Sequence, residues 1–251
     1  MEKQEKIEYE RYVHSKIASD YENVLNFVGS GLFHKYWNES FVKFVNLFPK
    51  AKILDNGCGS GLLLRDLKDK DLELYGVDIS KEMVEAARKE IINVKVADSE
   101  ELPFKDGFFD IIFCRASIHH FHSYGKSLRE MKRVLKKKGK LVVTEPFDNF
   151  VMWIPRKINQ IMNKERFEKH EILNKKEFFI LLKGLGFKVE KKEYFGYIGM
   201  PILASPEIFP IFQVIAKNKL LSKLLILIDK ALVKVPLVNR SAWHINFVCS
   251  I

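Results

Sequence analysis

Two hydrophobic rhythms alternate along this chain. From residue 51 the short apolar runs AKILDN, LELYGVD, NVKVAD and FFDIIFCR are separated by helix-like stretches, GLLLRDLKD and SKEMVEAARKE among them. YGKSLREMKRVLKKK then reads as a helix and KLVVTEP as another strand. Apolar strands alternating with helices over short connections predict a parallel sheet with helices on both faces. Ser80 stands where it can cap the helix that follows it. Ahead of this pattern, residues 5 to about 48 read as helices. Tyr21, Val24, Leu25 and Val28 share one spacing and Phe41, Phe44, Val45 and Phe48 another, with Gly29 and Gly31 between them and Pro49 after.

The rhythm breaks after Pro146. WIPRKINQIMNKERFEKHE is irregular, NKKEFFILLKGLGF reads as a helix ended by Gly184 or Gly186, and KVEKKEYF reads as a strand. Residues 196–241 hold Gly196, Gly199, Pro201, Pro206, Pro210 and Pro236 around a long apolar and basic helix, and WHINFVCS closes as a strand. These shifts divide the chain into an N-terminal helical cap (1–49), a main domain (50–195 and 242–251) and a helical insertion or lid (196–241). In the insertion, Leu221, Leu225, Ile228 and Leu232 share a face with Leu220, Leu224, Leu227 and Ala231 beside them. Lys219, Lys223, Lys230 and Lys234 line the other face. Two alternatives stay open for 219–235: a lid packed over the sheet edge, or an interfacial helix making peripheral contact with anionic lipid.

Composition narrows the setting. Hydrophobic residues are 47% of the 251, enough for a sizeable core. The three cysteines, Cys58, Cys114 and Cys249, have no paired spacing. That argues against a disulfide framework or a metal site and for a reducing, cytoplasmic setting. The first residues, MEKQEKIEYERYVH, have no apolar core of the signal-peptide kind. No apolar run approaches the ~18 residues of a membrane span. The net charge of +10 is scattered, as solvated lysine faces would scatter it. Its densest cluster, Lys136, Lys137, Lys138 and Lys140, fits the basic end of a helix before Gly139.

The stretch ILDNGCGSG, residues 53–61, concentrates the chemistry. Glycine lets the backbone take positive φ and approach a ligand closely. In an open parallel sheet the loop after the first strand lies at the ligand-binding end, and the helix starting near Ser60 would point free N–H groups at that ligand. The spacing of Gly57, Gly59 and Gly61 is not that of a dinucleotide fingerprint, and the Gly-Lys-Ser/Thr ending of a phosphate loop is absent. Asp55 at the strand end would repel a pyrophosphate and suits an ammonium. A nucleoside with a cationic tail fits better than a dinucleotide.

LDNGCGSG resembles the glycine-rich motif of class I S-adenosylmethionine-dependent methyltransferases, with Asn56 at a position where an apolar residue is common and little is constrained. Further segments follow in order: GVDIS with Asp78, VADSEELPF with Asp98, FDIIFCRASIHHF after the fourth strand, and LREMKRVLKKKGKLVVTEP beyond. The resemblance implies a Rossmann-like, doubly wound α/β fold: seven strands, mostly parallel, with an antiparallel last strand. It implies S-adenosylmethionine as cofactor and S-adenosylhomocysteine as product. It places Asp78 on the ribose hydroxyls, which one carboxylate can accept together, and Asp98 on the adenine amino group. The implied cofactor surroundings are Asp55, Gly57, Cys58, Gly59, Gly61, Asp78, Ile79, Met83, Asp98, Ser99 and Arg115.

The expected reaction is methyl transfer to a small, apolar or amphipathic molecule by in-line displacement, which positioning alone can largely accelerate. A hydroxyl or ammonium acceptor would gain from a general base. His119 and His120 are the catalytic candidates, with His122, Glu145, Tyr194, Tyr197 and His170 also near the expected pocket. The histidine pair could equally fill a helix start, and Glu145 could anchor a turn before Pro146. YVHSKIASDY resembles the family's covering helix, where His14 or Tyr21 could touch the cofactor. Phe147, Phe150, Trp153, Tyr194, Phe195 and Phe209 could line an apolar pocket or fill a core. Two further alternatives remain. Positive charge suggests RNA methylation, against which CRASIHHF stands where base-amino methyltransferases carry Asn/Asp-Pro-Pro-aromatic. The other is a non-catalytic cofactor-binding or membrane-surface protein.

Overall fold

The computed structural model describes residues 3–13, 26–147, 173–204, 206 and 210–251. Helix α1 covers 3–13 and α2 covers Val28–Val42. Then follow β1 (Ala51–Asn56), α3 (Leu62–Leu67), β2 (Leu72–Asp78), α4 (Lys81–Arg88), β3 (Asn93–Val96) and β4 (Phe109–Arg115). A 3-10 turn, Ile118–His120, leads to α5 (Tyr124–Val134), β5 (Leu135–Pro146), α6 (Lys175–Gly184) and β6 (Lys188–Phe195). A π turn at Met200–Ala204, α7 (Pro210–Lys217), α8 (Lys219–Leu232), a 3-10 turn at Pro236–Ser241 and β7 (His244–Ser250) complete the described elements.

The seven strands form one sheet in the order β3-β2-β1-β4-β5-β7-β6. β7 runs antiparallel to both β5 and β6, and the pairs β1–β2, β1–β4, β2–β3 and β4–β5 are parallel. This is the mostly parallel, doubly wound sheet expected from the sequence. The strand period of two distributes the core. In β4, Ile112 and Cys114 join a cluster with Leu128 and Met131 of α5 and Phe178 and Leu182 of α6. Their neighbours Ile111 and Phe113 face the opposite layer, with Phe33 and Phe41 of α2 and Leu203. Ser80 caps α4, its side chain accepting from the Met83 N–H.

Two expectations need correction. α2 runs straight through Gly29 and Gly31 and stops at Val42, so Phe44, Val45 and Phe48 lie beyond it. The glycine at 29 serves packing: a Cβ there would stand 2.1 Å from Ser222 Oγ and 2.7 Å from the Ala216 carbonyl oxygen. Next, α5 ends at Val134, and the lysine cluster belongs to β5, where Lys136 bonds Asp110 at 2.7 Å and Lys140 bonds Glu190 at 2.5 Å. Pairing of Leu135 with Phe109 of β4 gives the backbone a sheet partner that outweighs the helical propensity of the lysines. In the insertion, α8 buries Ser222, Ile226 and Asp229 and leaves Leu220, Leu221, Leu224 and Leu227 exposed. His14, Tyr21, Phe150, Trp153, His170 and Phe209 lie outside the described residues.

The buried Asp229 explains the orientation of α8. Its carboxylate accepts from the N–H groups of Tyr197 (3.1 Å), Ile198 (2.9 Å) and Gly199 (3.0 Å). It thereby fixes the turn that leaves β6 and starts the Met200–Ala204 segment. Burial raises its carboxyl pKa, and those three bonds work the other way. Removing the acceptor strands buried donors, each costing about 1–3 kcal/mol. Asp229→Ala should therefore lower unfolding free energy by roughly 3 kcal/mol, read as a shifted denaturant midpoint. An unchanged midpoint would remove Asp229 from this role.

Candidate cofactor and acceptor site

A cavity of about 420 Å³ opens at the carboxyl ends of β1, β2 and β4 and reaches residues 97–99 beyond β3. Strand order reverses here, between β1 and β4, which is where open α/β sheets bind ligands. Its floor is the glycine loop. Gly57, Gly59 and Gly61 have φ of 79°, 51° and 84°. A Cβ on Gly57 would stand 2.4 Å from the Ser117 Cβ, so the loop after β4 excludes any side chain there. A Cβ on Gly59 would meet nothing within 4 Å, and Gly59 lines the cavity. Bare backbone is thus turned toward open space at Gly59. Gly61 precedes α3 as its left-handed N-terminal cap, so that helix begins at Leu62 rather than near Ser60.

Two strand-tip acids share this cleft. Asp78 Oδ2 accepts from Gly59 N at 2.8 Å, and Oδ1 accepts from Ser80 N at 2.9 Å. Each oxygen keeps acceptor capacity for a further donor. Asp98 Oδ1 accepts from Glu100 N at 2.9 Å, while its Oδ2 pairs with Lys3 Nζ of α1 at 2.8 Å. Ile79, Met83, Cys58, Ser99 and Arg115 also line the cavity. Asn56 supplies what its ordinary appearance in the motif concealed. It is fully buried, donates to Ser99 Oγ at 2.8 Å, and its carbonyl accepts from Ser117 Oγ at 2.9 Å. One side chain thereby ties the ends of β1 and β3 together.

Asp55 and Gly61 stand behind the wall rather than on it. Asp55 is 2% exposed, and its Oδ1 has no hydrogen-bond partner among the described residues. Burial pushes its carboxyl up to about 7, with the Arg115 guanidinium opposing and Asp78 adding to the rise. Burial also pushes the Cys58 and Cys114 thiols well above their ordinary range, so neither is a ready nucleophile.

The far half of the cavity is aromatic and apolar. Trp37 and His34 come from α2, Met200, Pro201 and Ala204 from the π turn, and Trp243 and His244 from the start of β7. The Arg115 guanidinium lies 4.1 Å over the Trp37 ring and within 2.5 Å of His34 Nδ1. Burial, reinforced by Arg115, holds the pKa of His34 well below its usual range, so a neutral ring accepts from the guanidinium. Trp37 Nε1 donates to Thr144 Oγ1 at 3.0 Å, locking α2 to β5. Sequence reasoning missed this half, because the residues sit far apart in the chain. The available signal was the spacing of His34 and Trp37, one helical turn apart.

His119 and His120 both line the cavity, their ring centroids 4.1 Å apart. His119 Nδ1 is 2.7 Å from Glu145 Oε2. Glu145 is fully buried, and its Oε1 accepts from Ser117 N and Ile118 N, each at 2.7 Å. Glu145 anchors the turn and aims His119 together. His120 Nδ1 pairs with Glu10 of α1 at 3.0 Å. His122 lines the cavity too, whereas Tyr194 meets Lys175 and Tyr197 meets Asn239, away from the wall. Phe147 and Phe195 are core residues. Among the described residues no group of three His, Cys, Asp or Glu side chains is placed to hold a metal ion.

Residues 54–143 match the family model described as a methyltransferase domain. A demethylmenaquinone methyltransferase of Symbiobacterium thermophilum is 32% identical over 162 residues, which cover 59% of this chain and 64% of that protein. A malonyl-[acyl-carrier protein] O-methyltransferase of Legionella pneumophila is 33% identical over 143 residues, covering 52% and 47%. The chain thus spans less than two thirds of the length of these curated relatives. Among solved structures, one of the Haloferax volcanii Trm112 methyltransferase activator in complex with a methyltransferase superposes with a TM-score of 0.62 at 18% identity. That match covers 92% of this chain and 96% of the other, a likeness of fold. Residues 54–143 thus carry a methyltransferase domain, and the glycine loop and strand-tip acids give it the class I, S-adenosylmethionine-dependent form.

Proposed function

We propose that this chain transfers a methyl group from S-adenosylmethionine to a small, largely apolar or amphipathic acceptor. One observation carries the proposal: a single cavity joins the glycine loop, Asp78 and Asp98 at one end to Trp37, Met200, Pro201 and Trp243 at the other. The relatives named for demethylmenaquinone and for malonyl-acyl carrier protein support a small-molecule or carrier-borne acceptor. The cofactor supplies an electrophilic methyl on a sulfonium. Asp78, its oxygens oriented by Gly59 N and Ser80 N, accepts the ribose hydroxyls. Asp98 accepts the adenine amino group, and Ser99, held by Asn56, stands beside it. Gly57, Cys58 and Gly59 carry the backbone along the nucleoside, with Ile79 and Met83 as apolar contacts. Helix α2, from the N-terminal cap, and the Met200–Ala204 turn, from the 196–241 insertion, form the acceptor side.

His119 is the general base. The Glu145 carboxylate favours the tautomer with its proton on Nδ1, which leaves Nε2 as the basic nitrogen. The arrangement suits an acceptor that loses a proton as the methyl arrives. His120 is held by Glu10 and serves the cap more than the chemistry.

Calorimetric titration with S-adenosylmethionine should show binding to the unmodified chain and at least roughly tenfold weaker binding to Asp78→Ala, since charge-assisted bonds would be lost. No heat from the unmodified chain would overturn the proposal. His119→Ala should lower kcat by about a hundredfold, followed as labelled methyl entering solvent-extractable material from a lysate, with cofactor affinity retained. An unaltered rate would leave positioning as the whole mechanism.

Asp55 adds a pH dependence. Its carboxyl titrates at about 7 in the fold against 3.8 ordinarily, so between those values the folded chain binds more protons than the unfolded one. The contribution of Asp55 to stability without cofactor therefore falls as pH rises from about 4 to about 7. Asp55→Asn should raise the melting temperature at about pH 7 relative to that at about pH 4, compared with the parental chain. A variant that melts with the parental pH profile would contradict this.

A further inference from the structure

α8 faces the core through Ser222, Ile226 and Asp229. On its opposite side Leu220, Leu224 and Leu227 are 77%, 53% and 61% exposed. At about 3.6 residues per turn these leucines and the exposed Ala231 form one stripe pointing directly away from the core. Lys219, Lys223 and Lys234 line one flank of it with Lys230, whose ammonium also lies 5.0 Å over the Tyr36 ring. α7 packs alongside and exposes Ile211 and Val214, and Leu237 beyond α8 is exposed as well. Exposed apolar side chains gathered in this way mark an interaction surface.

We propose that this basic-edged apolar face of α7 and α8 seats the chain on an anionic lipid surface. The leucines would enter the boundary between headgroups and acyl chains, and the lysine row would meet the phosphates. Charge complementarity selects this occupant over a second copy. The only acid of α8, Asp229, is buried on Tyr197–Gly199, and α7 has none, so a self-contact offers these lysines no carboxylate from either helix. Among the described residues no helix is long and apolar enough to cross a membrane, so the contact is peripheral. The π turn Met200–Ala204 connects the face to the site, since it packs on α7 and lines the acceptor half of the cavity. The inference rests on the methyl-transfer proposal only for what the contact delivers, an amphipathic acceptor drawn from the lipid.

Cosedimentation with vesicles tests it, using phosphatidylcholine alone and phosphatidylcholine mixed with phosphatidylglycerol. The full chain should bind the mixed vesicles at least roughly tenfold more tightly than the neutral ones. Leu220→Ser/Leu224→Ser/Leu227→Ser and Lys219→Glu/Lys223→Glu should each weaken that binding by about tenfold or more. S-adenosylmethionine titration of the same samples reports whether the cleft is intact, so lipid binding and cofactor binding fail separately. Three results would overturn the proposal: no sedimentation with either vesicle, undiminished binding by the leucine variant, or a dimer that those leucine substitutions dissolve.

Discussion

The carboxylate of Asp78 holds the site together before any ligand arrives. Its two oxygens bond the amides of Gly59 and Ser80, one from the glycine loop and one from the start of α4. The loop cannot fix itself, because glycines at positive φ have little intrinsic preference for one conformation. A charge-assisted bond from the neighbouring strand supplies the missing restraint. The Gly57 and Cys58 amides reinforce it by donating to the Val77 carbonyl, each at 2.9 Å. The residue proposed to hold ribose is thus also the one that shapes the backbone beside it. Asn56 does the parallel service on the other flank, joining β1 to Ser99.

Much of the fold was legible because it rests on local patterns. β1 coincides with the run AKILDN, since a strand buried on both faces writes itself as a nearly continuous apolar stretch, and β2 coincides with LELYGVD, of which only Gly76 and Val77 are buried. The glycine loop was legible for its unusual backbone demands. What stayed hidden depends on partners distant in sequence. Gly29 reads as a breaker in isolation, yet its role is set by Ser222 and Ala216 on α8 and α7. The leucine-rich sequence of α8 leaves its buried face open, and Asp229 sets that face by accepting from three amides. The lysine cluster fits a helix end until Asp110 and Glu190 are seen opposite it.

The candidate site divides along the same line. Its proposed nucleoside end is built mainly from one stretch of chain, residues 56–99, with Lys3 of α1 on Asp98, and most of its residues were named from the motifs. The proposed acceptor end gathers α2, the π turn and the start of β7. No short motif spans those segments, so only the assembled sheet brings Trp37, Met200 and His244 together. His119 lies at the seam. Its presence was visible in the sequence, but its orientation comes from Glu145 on the neighbouring strand.

All three cysteines are buried and free, and burial raises the pKa of each thiol. They occupy three separate parts of the sheet: Cys58 in the glycine loop, Cys114 on the strand where chain order reverses, and Cys249 on the antiparallel strand β7. Alkylating reagents can reach each thiol only when its own neighbourhood opens. The chain therefore carries three natural probes of local unfolding, whose labelling rates would rank the loop, the central strand and the antiparallel strand by how often each exposes itself to solvent.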